Sequence, residues 1–179
     1  MEGNEKDVLT LSKKERLNFI NQFKILDKLY PDEGYRENIK ALEEGYELHY
    51  SWIFENLYNG LSIEQCRFVL DVLGVYRAMI FSFENLENKE GIDIELLRFP
   101  GFDGNNETEY MSYVRYFIDD LGRFEEIREI SGSGFNSHKK LIDSYSNLLT
   151  KYNSLPKITG GLIKRDDLLV LLKIAPKGL

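Results

Sequence analysis

Hydrophobic residues recur at helical spacing along most of the chain. The first such stripe contains Phe19, Phe23, Leu26 and Tyr30, which follow one another at intervals of four, three and four residues. This spacing places the side chains on one face of an α-helix, where they can pack against a core. Pro31 follows the stripe and cannot continue a helix. The pattern therefore predicts an amphipathic helix that ends near Tyr30.

Two capping boxes mark helix starts. Ser12 is followed three residues later by Glu15, and Ser62 is followed in the same way by Gln65. In this motif the two side chains and two backbone N–H groups of the first turn satisfy one another. The second box opens the most apolar stripe of the chain, which is the predicted centre of the core. Its members are Cys66, Val69, Leu70, Leu73, Tyr76, Ile80 and Phe83.

Four further stretches have helical spacing and bring the predicted set to about six helices. Gly45 lies inside the first of the four, at a point where a bend costs little. The expected helices run from about 33 to 58, from an N-cap at Asn106 to Gly122, from an N-cap at Ser137 to about Tyr152, and from about Arg165 to Ile174.

Two irregular loops, 99–107 and 131–140, interrupt the helical pattern. Both contain glycine and asparagine, and a short strand is conceivable only near 92–99. The sequence predicts an all-α fold with one domain over 9–175, a flexible N-terminus at 1–8 and a frayed C-terminus at 176–179. Long loops inside a compact domain are often functional, so these two loops are where a site is expected.

Composition excludes several classes of protein. The chain has 179 residues, 23 Lys and Arg against 30 Asp and Glu, and a formal charge of −7. A negative protein repels phosphate backbones and anionic lipid surfaces, so neither a nucleic acid nor a membrane is an expected partner. The 11 Tyr, 11 Phe and 1 Trp exceed what one core of this size needs. Because tyrosine is enriched in interfaces, part of this aromatic surface is expected to contact another subunit or another protein.

The cysteine and histidine content bears on location and on metal sites. Cys66 is the one cysteine and rules out a disulfide framework, which favours a reducing compartment. The first residues lack a basic start and an apolar run, and no stretch of 18 apolar residues occurs, so a cytoplasmic location is expected. His49 and His138 are the two histidines, and neither belongs to a motif that marks a metal site. No metal and no cofactor is expected.

Oxygen-bearing side chains alternate from Asp103 to Glu109, as they do at the start of a calcium loop. A calcium-binding EF-hand needs glycine at the sixth position and glutamate at the twelfth. Here those positions hold Thr108 and Val114. A glycine turn followed by a helix N-cap explains the same residues better.

A cluster of cations follows the second loop. His138, Lys139 and Lys140 come directly after Ser137, where positive charge opposes the dipole of the predicted helix. An anion held by free backbone N–H groups would relieve that conflict, although solvated lysines on a flexible loop are the commoner explanation for such residues. The loop lacks the glycine and lysine spacing of nucleotide-binding motifs.

Other reactive or charged residues have a structural interpretation beside a functional one. Cys66 falls in the apolar stripe, where a buried small hydrophobe is the commoner role than a nucleophile. Arg77 and Arg115 stand among apolar and aromatic neighbours, so they either extend their stems to solvent or pair with carboxylates. The carboxylates considered as partners are Asp71, Asp103, Asp119 and Asp120.

Several segments match the pattern of one protein family. The most specific are Phe99-Pro100-Gly101-Phe102-Asp103-Gly104-Asn105 and Gly134-Phe135-Asn136-Ser137-His138, supported by 17–26, 43–46, 69–73 and 76–78. Through them the chain resembles the YfbU family of small bacterial proteins, over roughly Leu9 to Leu172. The resemblance implies a cytoplasmic, predominantly helical protein. That family has no established biochemical activity, so the resemblance brings no catalytic residues.

Two hypotheses about function follow. The first is a self-associating protein-interaction or regulatory module, supported by the aromatic surplus and by the absence of a complete catalytic constellation. The second is an enzyme or small-anion-binding protein with a site built from the two loops. The first hypothesis is favoured, so the balance leans against an enzyme. The polar residues that would form this site are Asp103, Asn105, Glu107, Arg115, Arg123, Asn136 and His138. If such a site exists, the two loops must meet in space.

Overall fold

The computed structural model describes residues 9–57, 60–156 and 161–177, and within these residues the fold is all-α, as predicted. Eight α-helices occur in these ranges, two more than the expected six or so, because two short helices have no strong sequence pattern. They are α1 (Lys13–Leu29), α2 (Tyr35–Glu44), α3 (Tyr50–Ile53), α4 (Ile63–Glu84), α5 (Thr108–Arg115), α6 (Glu125–Ser131), α7 (Ile142–Ser154) and α8 (Arg165–Ile174).

The described chain forms two compact units, which divide between Asn59 and Gly60. The first unit contains α1 to α3 and a small core around Ile20, Leu42 and Tyr50, which are buried. The expected single domain over 9–175 stays a prediction, and the expected flexible residues 1–8 lie outside the described residues.

The second unit contains α4 to α8 and a much larger core. The central helix α4 contributes residues such as Val72, Tyr76 and Ile80, and α5, α6, α7 and α8 all contact it or its neighbours. Aromatic side chains of the loop 99–107 belong to the same core, so packing as well as hydrogen bonds fixes this loop. Phe99 and Phe102 are both buried there, with ring centroids 6.1 Å apart.

Both capping boxes form as predicted. The Ser12 hydroxyl accepts the backbone N–H of Glu15, whose carboxylate accepts the backbone N–H of Ser12 at the start of α1. Ser62 and Gln65 make the same pair of bonds at the start of α4. Helix α4 runs for 22 residues, and Val69, Leu73, Tyr76 and Ile80 of its predicted stripe are buried in the core. These local signals fix where the two longest helices begin.

The predicted helix over 33–58 is wrong in its length. Helix α2 ends at Glu44, its C-cap Gly45 has a positive φ of 75°, and a 3-10 turn over Glu47–His49 leads into the four-residue α3. Tyr58, the predicted end, lies outside the described residues. The glycine that permits a bend ends the helix here, because the left-handed conformation cannot continue it.

The observed helix is shorter than the one predicted from Asn106 to Gly122, and Asn106 does not cap it. Helix α5 begins at Thr108, and a π-helical turn over Tyr116–Asp120 follows it. The conceivable strand near 92–99 is instead a 3-10 turn, Ile94–Leu97. Helix α6 was not predicted at all.

No helix in the described residues has the length and apolar character that crossing a membrane requires.

Candidate functional site

The loops 99–107 and 131–140 meet through a short parallel bridge between Phe102 and Asn136. The Phe102 N–H donates to the Phe135 carbonyl at 3.0 Å, and the Ser137 N–H donates to the Phe102 carbonyl at 3.0 Å. The approach requires glycine at position 101, since a Cβ there would lie 1.8 Å from the Phe135 carbonyl oxygen. The two loops therefore lie together in space, as a shared site requires.

The side chain of Asn136 strengthens this junction. Its Oδ1 accepts the backbone N–H groups of Gly104 and His138, each at 3.0 Å. A Cβ on Gly104 would come within 2.7 Å of the Asn136 amide nitrogen, so this contact also depends on a glycine. One amide oxygen thus brings the backbone near Asp103 next to that of His138.

Glu107 is buried and connects the first loop to α7. One of its carboxylate oxygens, Oε1, accepts the N–H groups of Leu141 and Ile142 at 2.8 and 3.1 Å, and the other accepts the N–H of Asp103 at 3.0 Å. A carboxylate at the start of a helix satisfies N–H groups that have no partner within the helix and suits the helix dipole. Glu107 therefore acts as the remote cap of α7.

Ser137 does not cap a helix, which corrects the prediction. Its hydroxyl donates to the Lys139 carbonyl at 2.6 Å, and α7 begins five residues later at Ile142. The cation cluster 138–140 thus precedes the helix rather than forming its first turn. His138 has a positive φ of 54°, which a non-glycine residue rarely adopts.

Asp103 is held as an anion by its own loop. Hydrogen bonds from the Asn105 backbone and from the Asn106 side chain lower the pKa of this carboxyl, and electrostatic interactions with Lys140 and His138 act in the same direction. The side chain of Asp103 accepts bonds within the turn, and Asn105 itself is exposed. These residues stabilise the loop, and neither of them lines the cleft that opens beside the second loop.

Arg115 reaches the second loop from the end of α5. Its Nε and Nη2 donate to the same carbonyl oxygen, that of Gly134, at 3.1 and 2.7 Å. Arg123, which the sequence placed in the same site, is exposed and does not line the cleft. The structure therefore brings six of the seven candidate residues to the loop junction and leaves Arg123 outside it.

A cleft of about 560 Å³ opens beside the second loop, within the second unit. Residues of 131–138 form the largest part of its wall, and its charged or titratable lining residues are Glu95, Arg98, Arg115, His138 and Lys177. Of these, only Arg115 and His138 were predicted. Arg98 could have been singled out because it directly precedes Phe99 of the first loop, in a chain in which acidic residues outnumber basic ones.

The two other residues discussed from the sequence have structural roles. Arg77 is part-exposed and donates to the carboxylate of Glu126, which was not among the aspartates considered as its partners. The Cys66 thiol is half-buried and lies 3.9 Å from the Leu61 carbonyl oxygen. Among the described residues, no three His, Cys, Asp or Glu side chains are grouped so as to hold a metal ion.

The fold and the loop junction define a class of all-helical protein in which two bridged loops form one wall of a largely cationic cleft. The model of the YfbU domain matches residues 9–169, and the chain belongs to the YfbU family. UPF0304 protein MJECS11 of Methanocaldococcus jannaschii is 36% identical over 170 residues, which cover 90% of this chain and 98% of that protein. These matches confirm the family resemblance.

Proposed function

We propose that this YfbU-family protein is an interaction module that associates with a second copy of itself through its first unit. The observation that carries the proposal is the distribution of exposed apolar side chains. Nine of the sixteen large hydrophobic side chains that are exposed among the described residues lie in the first unit, which is the smaller of the two. Large exposed apolar surfaces mark places where proteins bind one another.

One part of this surface is an aromatic row formed by Tyr46, His49 and Trp52. The ring of His49 lies 6.1 Å from that of Tyr46 and 4.5 Å from that of Trp52, centroid to centroid. Trp52 is 59% exposed, and Leu48 beside the row is 74% exposed. Tryptophan and tyrosine dominate the energetics of protein interfaces because they bury a large area at a small entropic cost.

The second part is the outer face of α1. Ile25 and Leu29 are exposed there, on the side of the helix away from the buried Ile20, and Leu17 is exposed one turn before Ile20. A surface helix of a monomer normally presents polar residues on that side, since only one apolar stripe is needed to face the core. The apolar residues on both sides of α1 are explained if its outer face is covered in an assembly.

Charge distinguishes the two surfaces and favours a second copy as the partner. The segment 45–57, which bears the aromatic row, contains Glu47 and Glu55 and no Lys or Arg. The outer face of α1 carries Lys14 and Lys28, while the acidic residues of α1 are engaged in the capping box and in a pair with Arg36. The α1 face of one copy therefore complements the aromatic row of another, and a two-fold axis would form this contact twice.

The test is the oligomeric state of the full chain, measured by light scattering and sedimentation at micromolar concentration. We expect a dimer or larger assembly that Trp52→Ser dissociates, because the central aromatic contact is lost. The matched control is Ile94→Ser, which removes a similarly exposed apolar side chain from the second unit and should leave the assembly intact. A wild-type protein that is monomeric at every concentration would contradict self-association.

A charge exchange tests the proposed pairing. Lys28→Glu should weaken the assembly, since it places a carboxylate opposite the acidic segment, and Glu47→Lys in the same chain should restore it. The weakening should shrink at high salt, because exposed charges are screened. If the double variant is no stronger than Lys28→Glu alone, the two surfaces do not face each other.

A further inference from the structure

We propose that the cleft beside the second loop binds a small organic anion, held through phosphate or carboxylate oxygens by Arg115, Lys177 and the backbone of the loop 131–138. This site lies wholly in the second unit and is separate from the surface proposed for self-association.

The charge of the cleft is opposite to that of the protein. Arg98 and Glu95 form an ion pair of 3.2 Å and largely neutralise each other. Arg115 and Lys177 remain, together with His138, and the lining has no other acidic residue. In a chain of formal charge −7, a concave surface with this excess of cations focuses a positive potential that attracts anions.

The geometry of Arg115 suits an oxyanion. Two of its nitrogens are fixed by the Gly134 carbonyl, which orients the guanidinium plane without neutralising its charge. No carboxylate within the described residues forms an ion pair with it. Nη1 makes no hydrogen bond to those residues and is free to donate. A pre-oriented guanidinium is the group that proteins most often use to bind phosphate or carboxylate with two parallel hydrogen bonds.

The loop backbone supplies further donors. The N–H groups of Ser133, Gly134 and Asn136 have no acceptor among the described residues, and all three residues line the cleft. Consecutive backbone N–H groups in a loop commonly complete anion sites. Phe135 and His138 in the same wall have positive φ, a conformation that costs energy and that the bridge to Phe102 holds in place.

The remaining lining indicates an organic anion rather than a bare ion. Leu96, Pro100 and Pro176 give the cleft an apolar share, and its volume of about 560 Å³ exceeds what inorganic phosphate would fill. Clefts of several hundred cubic ångströms with a few convergent polar groups are typical small-molecule sites. We therefore expect the apolar body of the ligand to lie against these residues while its oxyanion contacts Arg115.

Titration of the full chain with inorganic phosphate, glycerol 3-phosphate and succinate, followed by backbone amide shifts in nuclear magnetic resonance, tests the proposal. We expect saturable shifts that cluster in 133–138, and tighter binding of an organic anion than of inorganic phosphate. Tighter binding of glycerol 3-phosphate than of succinate assigns a phosphate ester, and the reverse order assigns a carboxylate. Absence of saturable shifts with all three probes would overturn the proposal.

Variants separate a built site from general attraction to positive charge. Arg115→Gln should weaken binding at least tenfold, and Lys177→Gln, at an exposed position outside the helices, should weaken it several-fold without affecting folding. Arg123→Gln is the matched control, because it removes an exposed arginine of the same unit that does not line the cleft, and it should change nothing. Equal weakening by Arg115→Gln and Arg123→Gln would overturn the site. The oligomeric state of each variant, measured in parallel, should be unchanged.

Discussion

At the scale of single residues, the loop junction depends on groups that each satisfy several partners. Glu107 accepts three backbone N–H groups, and the Asn136 amide oxygen accepts two. The Tyr145 hydroxyl donates to the Gly101 carbonyl at 2.7 Å from within the core, and burial raises the pKa of this tyrosine well above its usual value. Such residues are costly to replace because several polar groups, which are buried around Glu107 and Tyr145, lose their partners at once.

Glu107→Ala should lower the free energy of unfolding by about 3 kcal/mol, because the N–H groups of Asp103, Leu141 and Ile142 lose a buried charged acceptor. Urea denaturation monitored by circular dichroism measures the change. Glu109→Ala is the control, since Glu109 is exposed in the first turn of α5 and its replacement should cost less than about 1 kcal/mol. Equal effects of the two variants would show that Glu107 does not organise the junction.

Gly101→Ala should destabilise the protein by more than about 3 kcal/mol, since the new methyl group would overlap the Phe135 carbonyl. Gly91→Ala separates this overlap from backbone strain. Gly91 has a similar positive φ, 74° against 86°, but a Cβ added there would meet no atom within 4 Å, so a cost of only about 1 kcal/mol is expected. Thermal unfolding of the two variants provides the comparison. Similar melting temperatures would show that overlap with the Phe135 carbonyl does not determine the cost of Gly101→Ala.

At the scale of elements, local signals determined what could be predicted. Helices α1 and α4 begin at capping boxes and carry long stripes, so the sequence placed both correctly. Helix α7 begins at Ile142 because a carboxylate 35 residues earlier caps it, and no local pattern contains that information. The meeting of the two loops could not be predicted for the same reason, since its hydrogen bonds join residues more than 30 positions apart.

Helix α6 was missed because contacts with α4 hold it in place. It has seven residues and follows Phe124, which has a positive φ of 58° and makes no side-chain cap. Arg77 of α4 binds Glu126 and lies 4.0 Å from the centroid of the Phe124 ring, so one side chain fixes the start of the helix. A helix this short is not stable from its own sequence and needs such tertiary contacts.

Arg77→Gln should therefore loosen α6 selectively. We expect a loss of about 1 kcal/mol in the free energy of unfolding, and faster amide hydrogen exchange over 125–131 than in α4. Arg77→Lys should not restore the protection, because lysine cannot both pair with a carboxylate through two nitrogens and stack on a ring. Arg67→Gln on the exposed side of α4 serves as the control. Equal hydrogen exchange over 125–131 in Arg77→Gln and Arg67→Gln would show that Arg77 does not hold α6 in place.

At the scale of the whole molecule, the two units differ greatly in the size of their cores. The first has three buried apolar residues at its centre, whereas the second has a core of two dozen. Apolar burial is the main source of stability, so the first unit should depend more on whatever covers its exposed side chains. A partner that binds only the folded form stabilises it by mass action.

Unfolding followed by two probes should reveal this difference. Trp52 is the single tryptophan and lies in the first unit, so its fluorescence reports on that unit, while circular dichroism reports on all helices. We expect the fluorescence transition at lower urea, and a shift of that transition to higher urea as protein concentration rises. If the fluorescence and circular dichroism transitions coincide and do not depend on protein concentration, the result would instead support the single cooperative domain predicted from the sequence.

The bridge between the loops also determines when this part of the protein can fold during synthesis. Ribosomes deliver the chain from its N-terminus, so α4 and the loop 99–107 emerge well before the residues that complete them. Until Asn136 and Ile142 have been synthesised, the N–H groups of α7 do not exist and Glu107 has only local partners. The loop junction is therefore completed late in translation, after about four-fifths of the chain has been joined.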